Sequence, residues 1–325
     1  MTIIVKIGGK SQGSEEKIEA FAEQLVSQFG RKEPLVLVVS AIGDSTDQLQ
    51  AAIRKRRPDI SDLTVEPDRY FTRFGGDESR YGSIRREFEM FYGTLIRNNL
   101  SQLMAPVLVT PERFASFLMA SALKKIRGRN VEWLDFYSPI FPLVPTAGES
   151  NYLSASVDLI RSREKSRSAG MLLRDNDVVI PGFGGISTGN GNPIKTFGRG
   201  GSDEAAFGCG YALGADEIWI CSDVDGIKAA VIEGRETEIL PYLDIEETKA
   251  GAFLGAKLPS EQALRPLEKM YESGLRPKVY IAYAQNLSGN KTEIIPFDES
   301  KTNLFPPRLV AGRDITFHYV MNGSP

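Results

Sequence analysis

The chain has 325 residues, 42% apolar and 25% charged, with 31 glycines and a formal net charge of −3. That is the profile of a globular protein of one large or two modest domains, and its nearly balanced, interspersed charge argues against nucleic acid as a partner. The two cysteines, Cys209 and Cys221, have neither disulfide-framework nor metal-ligand spacing, and no apolar run reads as membrane-spanning, so a reducing, cytoplasmic setting without a membrane partner is expected. A lone histidine, His318, rules out a multi-histidine metal site and reads as structural. Lysine, arginine, carboxylates, hydroxyls and backbone amides are what remain for catalysis, and they suit phosphoryl transfer.

The chain opens MTIIVKIGGKSQGS, in which the apolar run at 3–5 predicts a buried strand ending at Lys6. A P-loop ending in Gly9-Lys10-Ser11 would need glycine at position 4, where Ile4 stands, so the wrapping loop is absent. What is left is a cation at a strand's carboxyl end and a Gly8-Gly9 pair whose amides can approach an anion. Lys6 is thus either a phosphate ligand or a solvated strand end. Residues 14–29 predict a helix capped by Ser14, and 35–40 (LVLVVS) a second strand. Arg54 to Arg57 reads as a solvated helix end. Residues 50–104, polar and without strand signals, read as a helical excursion that serves as a lid or a dimer contact. Further strands are expected at 106–109 (PVLV), 131–134 (VEWL), 177–180 (DVVI), 217–222 (EIWICS) and 278–283 (KVYIAY), with a turn-rich loop, GISTGNGNP, at 185–193.

The densest signal runs from 196 to 227, TFGRGGSDEAAFGCGYALGADEIWICSDVDGI. Gly198, Gly200 and Gly201 make a flexible loop, Ser202 reads as an N-cap, and Asp203 and Glu204 fall in the first turn of a helix ending near Gly214. Capping leaves Arg199 unexplained. Asp203 would repel an anion unless a cation lay between, and Lys6 supplies one. Asp223 and Asp225, one residue apart after a strand, can hold a nucleotide's hydroxyls or sit near magnesium, although an Asp-Gly turn is spelled the same way. The alternation of strands and helices predicts an α/β fold, a three-layer αβα sandwich with a mostly parallel central sheet, whose ligands bind at the strands' carboxyl ends.

In family order, KIGGKS resembles the aspartokinase opening KFGGTS, VVSAIGDSTDQL the VVSA…TD segment, TPERFASFLMASAL the GERLS helix, FGRGGSDEAA the GRGGSD loop, SDVDGI the TDVDGI strand end and FLGAKLPSEQA the GAKVLHPRA segment. The resemblance covers roughly residues 1 to 305. It implies the amino acid kinase fold and ATP-dependent phosphorylation of the side-chain carboxylate of L-aspartate for lysine, threonine and methionine synthesis. Lys6 would neutralise the transferring phosphoryl group and Asp203 would orient Lys6; Gly8 and Gly9 would offer amides to the phosphates. Arg199 would clamp the α-carboxylate and Glu112 would meet the α-ammonium, with Ser40, Thr46 and Ser202 adding hydrogen bonds. Glu112 in a helix's first turn and Thr46 as a cap are the plainer readings of those two. Ser222, Asp223 and Asp225 would meet base and ribose, Lys257 would reach the phosphates, and Mg2+ would arrive with ATP, with no metal site from protein alone.

The chain departs from that pattern at Lys10, where the family has threonine, at Lys228 in place of a tyrosine, in the missing Asp-Pro-Arg run, and in GAKLPSEQA itself. The implied organisation is an amino-acid lobe over 1–185, a nucleotide lobe over 186–305 and a tail over 306–325 read as the remnant first strand of an ACT domain, hence a kinase without ACT-type feedback; a homodimer is expected as well. Two rivals stand beside it: a relative in the same superfamily acting on another small carboxylate or phosphate, and a non-catalytic nucleotide- or anion-binding protein.

Overall fold

The structure, a computed structural model, describes residues 1–147, 152–188, 193–229 and 238–297; the predicted tail at 306–325 and His318 lie outside them. Its strands in chain order are β1 (Ile3–Ile7), β2 (Leu35–Val39), β3 (Asn130–Trp133), β4 (Asn176–Pro181), β5 (Gly184–Ile186), β6 (Ile194–Thr196), β7 (Glu217–Ser222), β8 (Tyr242–Asp244), β9 (Lys278–Tyr283) and β10 (Asn286–Ile295). The helices are α1 (Glu15–Phe29), α2 (Ser45–Arg54), α3 (Asp62–Phe74), α4 (Glu78–Asn98), α5 (Met104–Leu108), α6 (Thr110–Ile126), α7 (Leu159–Leu172), α8 (Gly201–Leu213), α9 (Ile245–Phe253) and α10 (Glu261–Glu272).

Eight strands form one sheet in the order β3-β4-β2-β1-β7-β9-β10-β8, parallel throughout except for the β9–β10 hairpin; β5 and β6 make a separate antiparallel pair. Branched residues on both faces make β1 and β2 central strands, and their side chains alternate between two cores. Ile3, Val5 and Ile7 join Leu35, Leu37 and Val39 on the side of α1, α3, α4 and α6. Ile4, Val36 and Val38 face Ala205, Phe207, Leu264 and Leu267 of α8 and α10. This is the expected αβα sandwich. The strands before residue 185 build the half from β3 to β1, and those after it in the large sheet build the half from β7 to β8.

The Ser14 cap forms as predicted, its hydroxyl accepting from the Lys17 amide at 3.3 Å. Residues 50–104 are helical, and α3 and α4 bury Tyr70, Phe74, Tyr81, Phe88 and Tyr92 in the core beside α6, which makes them a packed layer. The strand expected at 106–109 is instead helical, in α5 and the turn leading to α6. Pro106 sits in the first turn of α5, where its missing N–H costs nothing, and Val107 and Val109 are fully buried there. A short apolar run does not distinguish a strand from a buried helical turn. The joined stretch Ser101–Ile126 is long and apolar enough to cross a membrane by length and composition, contrary to the sequence reading, yet 78% of its most apolar window is buried inside the protein. It is a core helix.

Candidate active site

Strand order reverses about β1, and in such sheets the crevice opens at the carboxyl ends of the strands beside the reversal. Lys6 stands near that end of β1, and Asp203 stands in the first turn of α8 with its Oδ1 2.8 Å from Lys6 Nζ. Their side chains are 12% and 18% exposed, so the pair is little screened by salt. Asp203 Oδ1 makes no aligned hydrogen bond, so the contact is one of charge against charge.

The loop before α8 depends on glycine. Gly198 and Gly200 have φ of 74° and 78°, the left-handed region that side chains resist, and the turn holds Arg199 exposed at the helix's N-terminus. Gly200, and not Ser202, is the N-cap. Ser202 lies one residue inside the helix, and its hydroxyl donates to Glu112 Oε1 at 2.8 Å. This corrects the capping role read from the sequence.

Glu112 sits in the first turn of α6, with Pro111 ahead of it, and is 3% exposed. Burial pushes its carboxyl up to about 7, against the pull of the Ser202 hydroxyl, the Gly182 amide, the Lys6 charge and the Ala41 amide. Its Oε2 is buried and has no hydrogen-bond partner. A donor brought by a ligand would satisfy it.

These groups line one cleft of about 760 Å³, which brings Lys6, Gly9, Ser40, Thr46, Glu112, Arg199, Ser202 and Asp203 together. Thr46 faces it from the first turn of α2, whose N-cap is Asp44. Gly9 is a close approach: a Cβ there would stand 2.5 Å from the Ala41 carbonyl and 2.7 Å from that of Gly43. Arg199 has no carboxylate partner among the described residues.

Gly8, Ser222, Asp223, Asp225 and Lys257 fall outside the cleft lining. Gly8 binds the carbonyl of Cys221 through its amide at 3.0 Å, which ties the β1 loop to the end of β7. Asp223 is ion-paired with Lys257. Partial burial, then the charges of Lys10 and Lys6, push the Lys257 ammonium below its usual value. The crowding of three lysines suits a polyanion. The Ser222 hydroxyl accepts from the Val224 amide at 3.3 Å, a local turn, and Asp225 is half-buried.

Sequence reasoning missed Gly182 and Phe183, although a Pro-Gly-Phe following a strand was a visible signal. Phe183 walls the cleft, and a Cβ at Gly182 would stand 2.9 Å from that of Ser202. Gln12 is fully buried and donates to the Ser40 carbonyl at 2.5 Å, and nothing in the sequence marked it.

The sequence model of the amino acid kinase family matches residues 1–282. The chain belongs to that family. Among curated relatives of this amino acid kinase, aspartokinase 1 of Arabidopsis thaliana chloroplasts is 27% identical over 280 residues, covering 82% of this chain and 48% of the relative. The aspartokinase of Corynebacterium efficiens is 26% identical over 304 residues, covering 92% of this chain and 59% of the relative. The chain therefore spans about half the length of the curated relatives it matches. Among solved structures, E. coli aspartokinase III in complex with aspartate and ADP superposes with a TM-score of 0.72 at 19% identity, covering 92% of this chain and 66% of that one. The aspartate kinase of Clostridium acetobutylicum gives 0.66 at 19% identity, covering 93% and 63%. The shared architecture is the amino acid kinase fold.

Proposed function

We propose that this chain phosphorylates the side-chain carboxylate of L-aspartate with ATP, giving an acyl phosphate. The observation that carries the reading is the Lys6–Asp203 pair, 2.8 Å apart, opening onto the cleft that also holds Arg199, Glu112, Ser202 and Thr46. A planar guanidinium without a carboxylate partner suits an α-carboxylate, and a buried carboxyl with an orphaned oxygen suits an ammonium. Together they favour an amino acid over a simple anion. The names of the aspartokinase relatives support the same substrate.

Lys6 stands where negative charge gathers on the transferring phosphoryl group, and Asp203 holds the ammonium there. The attacking carboxylate is already ionised, so no general base is needed. Gly9 lets the β1 turn pack against the Ala41 and Gly43 carbonyls beside the cleft, where no Cβ fits, and Lys257 with Lys10 suits the polyphosphate. Mg2+ bound with ATP would neutralise phosphate oxygens, with Asp223 and Asp225 on that side of the site. In this reading residues 1–185 form the acceptor lobe and 186–305 the nucleotide lobe, and the enzyme acts as a cytoplasmic homodimer feeding lysine, threonine and methionine synthesis.

The test is a coupled ADP-release assay across aspartate, glutamate, carbamate and nucleoside monophosphates. Turnover with aspartate at least about tenfold above the others supports the reading. Preference for carbamate or a monophosphate overturns the substrate, and nucleotide binding without turnover on any of them overturns the activity.

A further inference from the structure

The segment GAKLPSEQA departs from the family pattern, and the structure gives that departure work. Gln262, in the first turn of α10, points its side-chain nitrogen into a nest of oxygens: Glu204 Oε2 at 2.8 Å, the Phe197 carbonyl at 3.2 Å and the Ala155 carbonyl at 3.2 Å. Every neighbour is an acceptor, so the amide must present its NH2 group, whose two hydrogens serve all three. Glu204 is 2% exposed, and its other oxygen accepts from the Val157 amide at 2.7 Å. Both oxygens of a buried carboxylate are thus used for fastening, with none aimed at the cleft.

The fastened segments matter for their neighbours. Phe197 begins the loop that presents Arg199, and Glu204 follows Asp203 on α8. The stretch containing Ala155 and Val157 runs beside β6, bonded from the Ala155 amide to Thr196, and its Leu153 lines the cleft. Gln262 itself lies five residues after Lys257, and a Cβ at Gly200 would stand 3.6 Å from the hydroxyl of Ser260, the cap of α10. One side chain therefore joins the acceptor loop to the segment carrying Lys257.

We propose that Gln262 is a positioning residue: through Glu204 and the Phe197 carbonyl it sets where the Arg199 loop stands against the Lys257 segment, and so sets acceptor affinity. The proposal rests on the reading of Arg199 as the acceptor's carboxylate clamp. Its reach is structural as well as kinetic, because the same bonds hold the loop in the absence of substrate.

The test uses the full chain with Gln262→Leu, which keeps bulk and removes the donor, and with Glu204→Gln as the milder variant. A glutamine at 204 that keeps the Val157 bond must offer its NH2 to Gln262, which then turns its oxygen inward and releases Phe197. For each variant the readouts are kcat, KM for aspartate, ADP affinity by calorimetry and amide hydrogen exchange over 197–201. Expected in both are a rise of about tenfold in aspartate KM, kcat and ADP affinity within about threefold of the parent, and faster exchange confined to 197–201. An unchanged KM and unchanged exchange in either folded variant overturns the proposal. Equal losses for both substrates with faster exchange throughout also overturn it, since that is a merely structural role. If the parent itself fails to phosphorylate aspartate, the functional reading falls, and exchange at 197–201 still decides whether Gln262 holds the loop.

Discussion

At the scale of single residues, the cleft brings charged groups of both signs together, with Lys6, Asp203, Glu112 and Arg199 all lining it. Lys6→Met should leave the fold intact and lower kcat by on the order of 10³, about 4 kcal/mol of transition-state stabilisation, measured by steady-state kinetics. Arg199→Ala should instead raise the aspartate KM with little change in ATP affinity, by roughly 2 to 3 kcal/mol for a charged bidentate contact. Weakened ATP binding with an unchanged aspartate KM would reverse the assignment of the two half-sites. Glu112 adds a pH dependence. Its pKa in the folded protein is raised to about 7 from 4.5, so the folded state holds the extra proton between those values. Stability from this group is complete below pH 4.5, declines as pH rises towards 7 and is flat beyond. Glu112→Gln should therefore gain on the parent between pH 5 and pH 8, by on the order of 3 kcal/mol in urea unfolding without ligand, while losing acceptor binding. A pH-independent difference would remove this account of Glu112.

At the scale of elements, the site is made of strand ends and helix starts. β1 delivers Lys6, the turn after it delivers Gly9, and the first turns of α2, α6 and α8 deliver Thr46, Glu112 and Asp203. Helix N-termini carry unpaired N–H groups and a partial positive charge, which suits the proposed binding of phosphate and carboxylate. The β1 turn has little room. Gly9→Ala would push a methyl to 2.5 Å from the Ala41 carbonyl, backbone against backbone, so the turn must shift and carry Gly8 and Lys6 with it. Activity should fall at least about a hundredfold for a stability cost of about 1 to 3 kcal/mol, compared by kinetics and thermal unfolding. Full activity in Gly9→Ala would mean that the backbone approach is not used.

For the molecule as a whole, a buried ion pair and the cleft lie at opposite ends of the parallel strands. Asp177, at the start of β4, accepts from the Leu35 amide at 3.1 Å, and its other oxygen lies 2.6 Å from Arg127 Nε; both side chains are almost wholly buried. Burial holds the Asp177 carboxyl above its usual value and the Arg127 guanidinium below its own, and Arg129 Nε, 3.6 Å from Asp177 Oδ1, shares the same carboxylate. Arg127→Met leaves the carboxylate to the more distant Arg129 and also frees the Leu25 and Glu33 carbonyls that Arg127 binds, and it should cost about 3 to 5 kcal/mol in urea unfolding, while the folded variant keeps the parental aspartate KM. A changed KM would show that this edge communicates with the cleft.

The αβα layering and the strands β1 to β4, β7 and β9 were legible in the sequence because each leaves a local mark, as was the placing of Lys6 at a strand end and of Arg199 and Asp203 at a helix start; β5, β6, β8 and β10 were not. Branched runs spell buried strands, and a glycine loop ahead of an acidic helix start spells an unusual N-terminus. The stretch PVLV misled because a buried helical turn and a buried strand share the same short apolar spelling, and only the packing of α5 against its neighbours separates them. Ser202 misled because serine after glycine looks like a cap, whereas Glu112, ninety positions away in sequence, claims its hydroxyl. Gln262 and Glu204 were visible only as part of an altered segment and as a helix's first-turn acid, and nothing in the sequence marked that the two meet across 58 positions. The sequence by itself determined the most apolar central strands and which charges stand at their ends, because those are local choices of backbone and side chain, whereas the short or polar strands β5, β6, β8 and β10 depend on their neighbours in the sheet. Only the tertiary structure decided which of those ends meet, because pairing across 50 to 200 residues is set by the order of strands in the sheet and by the partners that buried polar atoms must find.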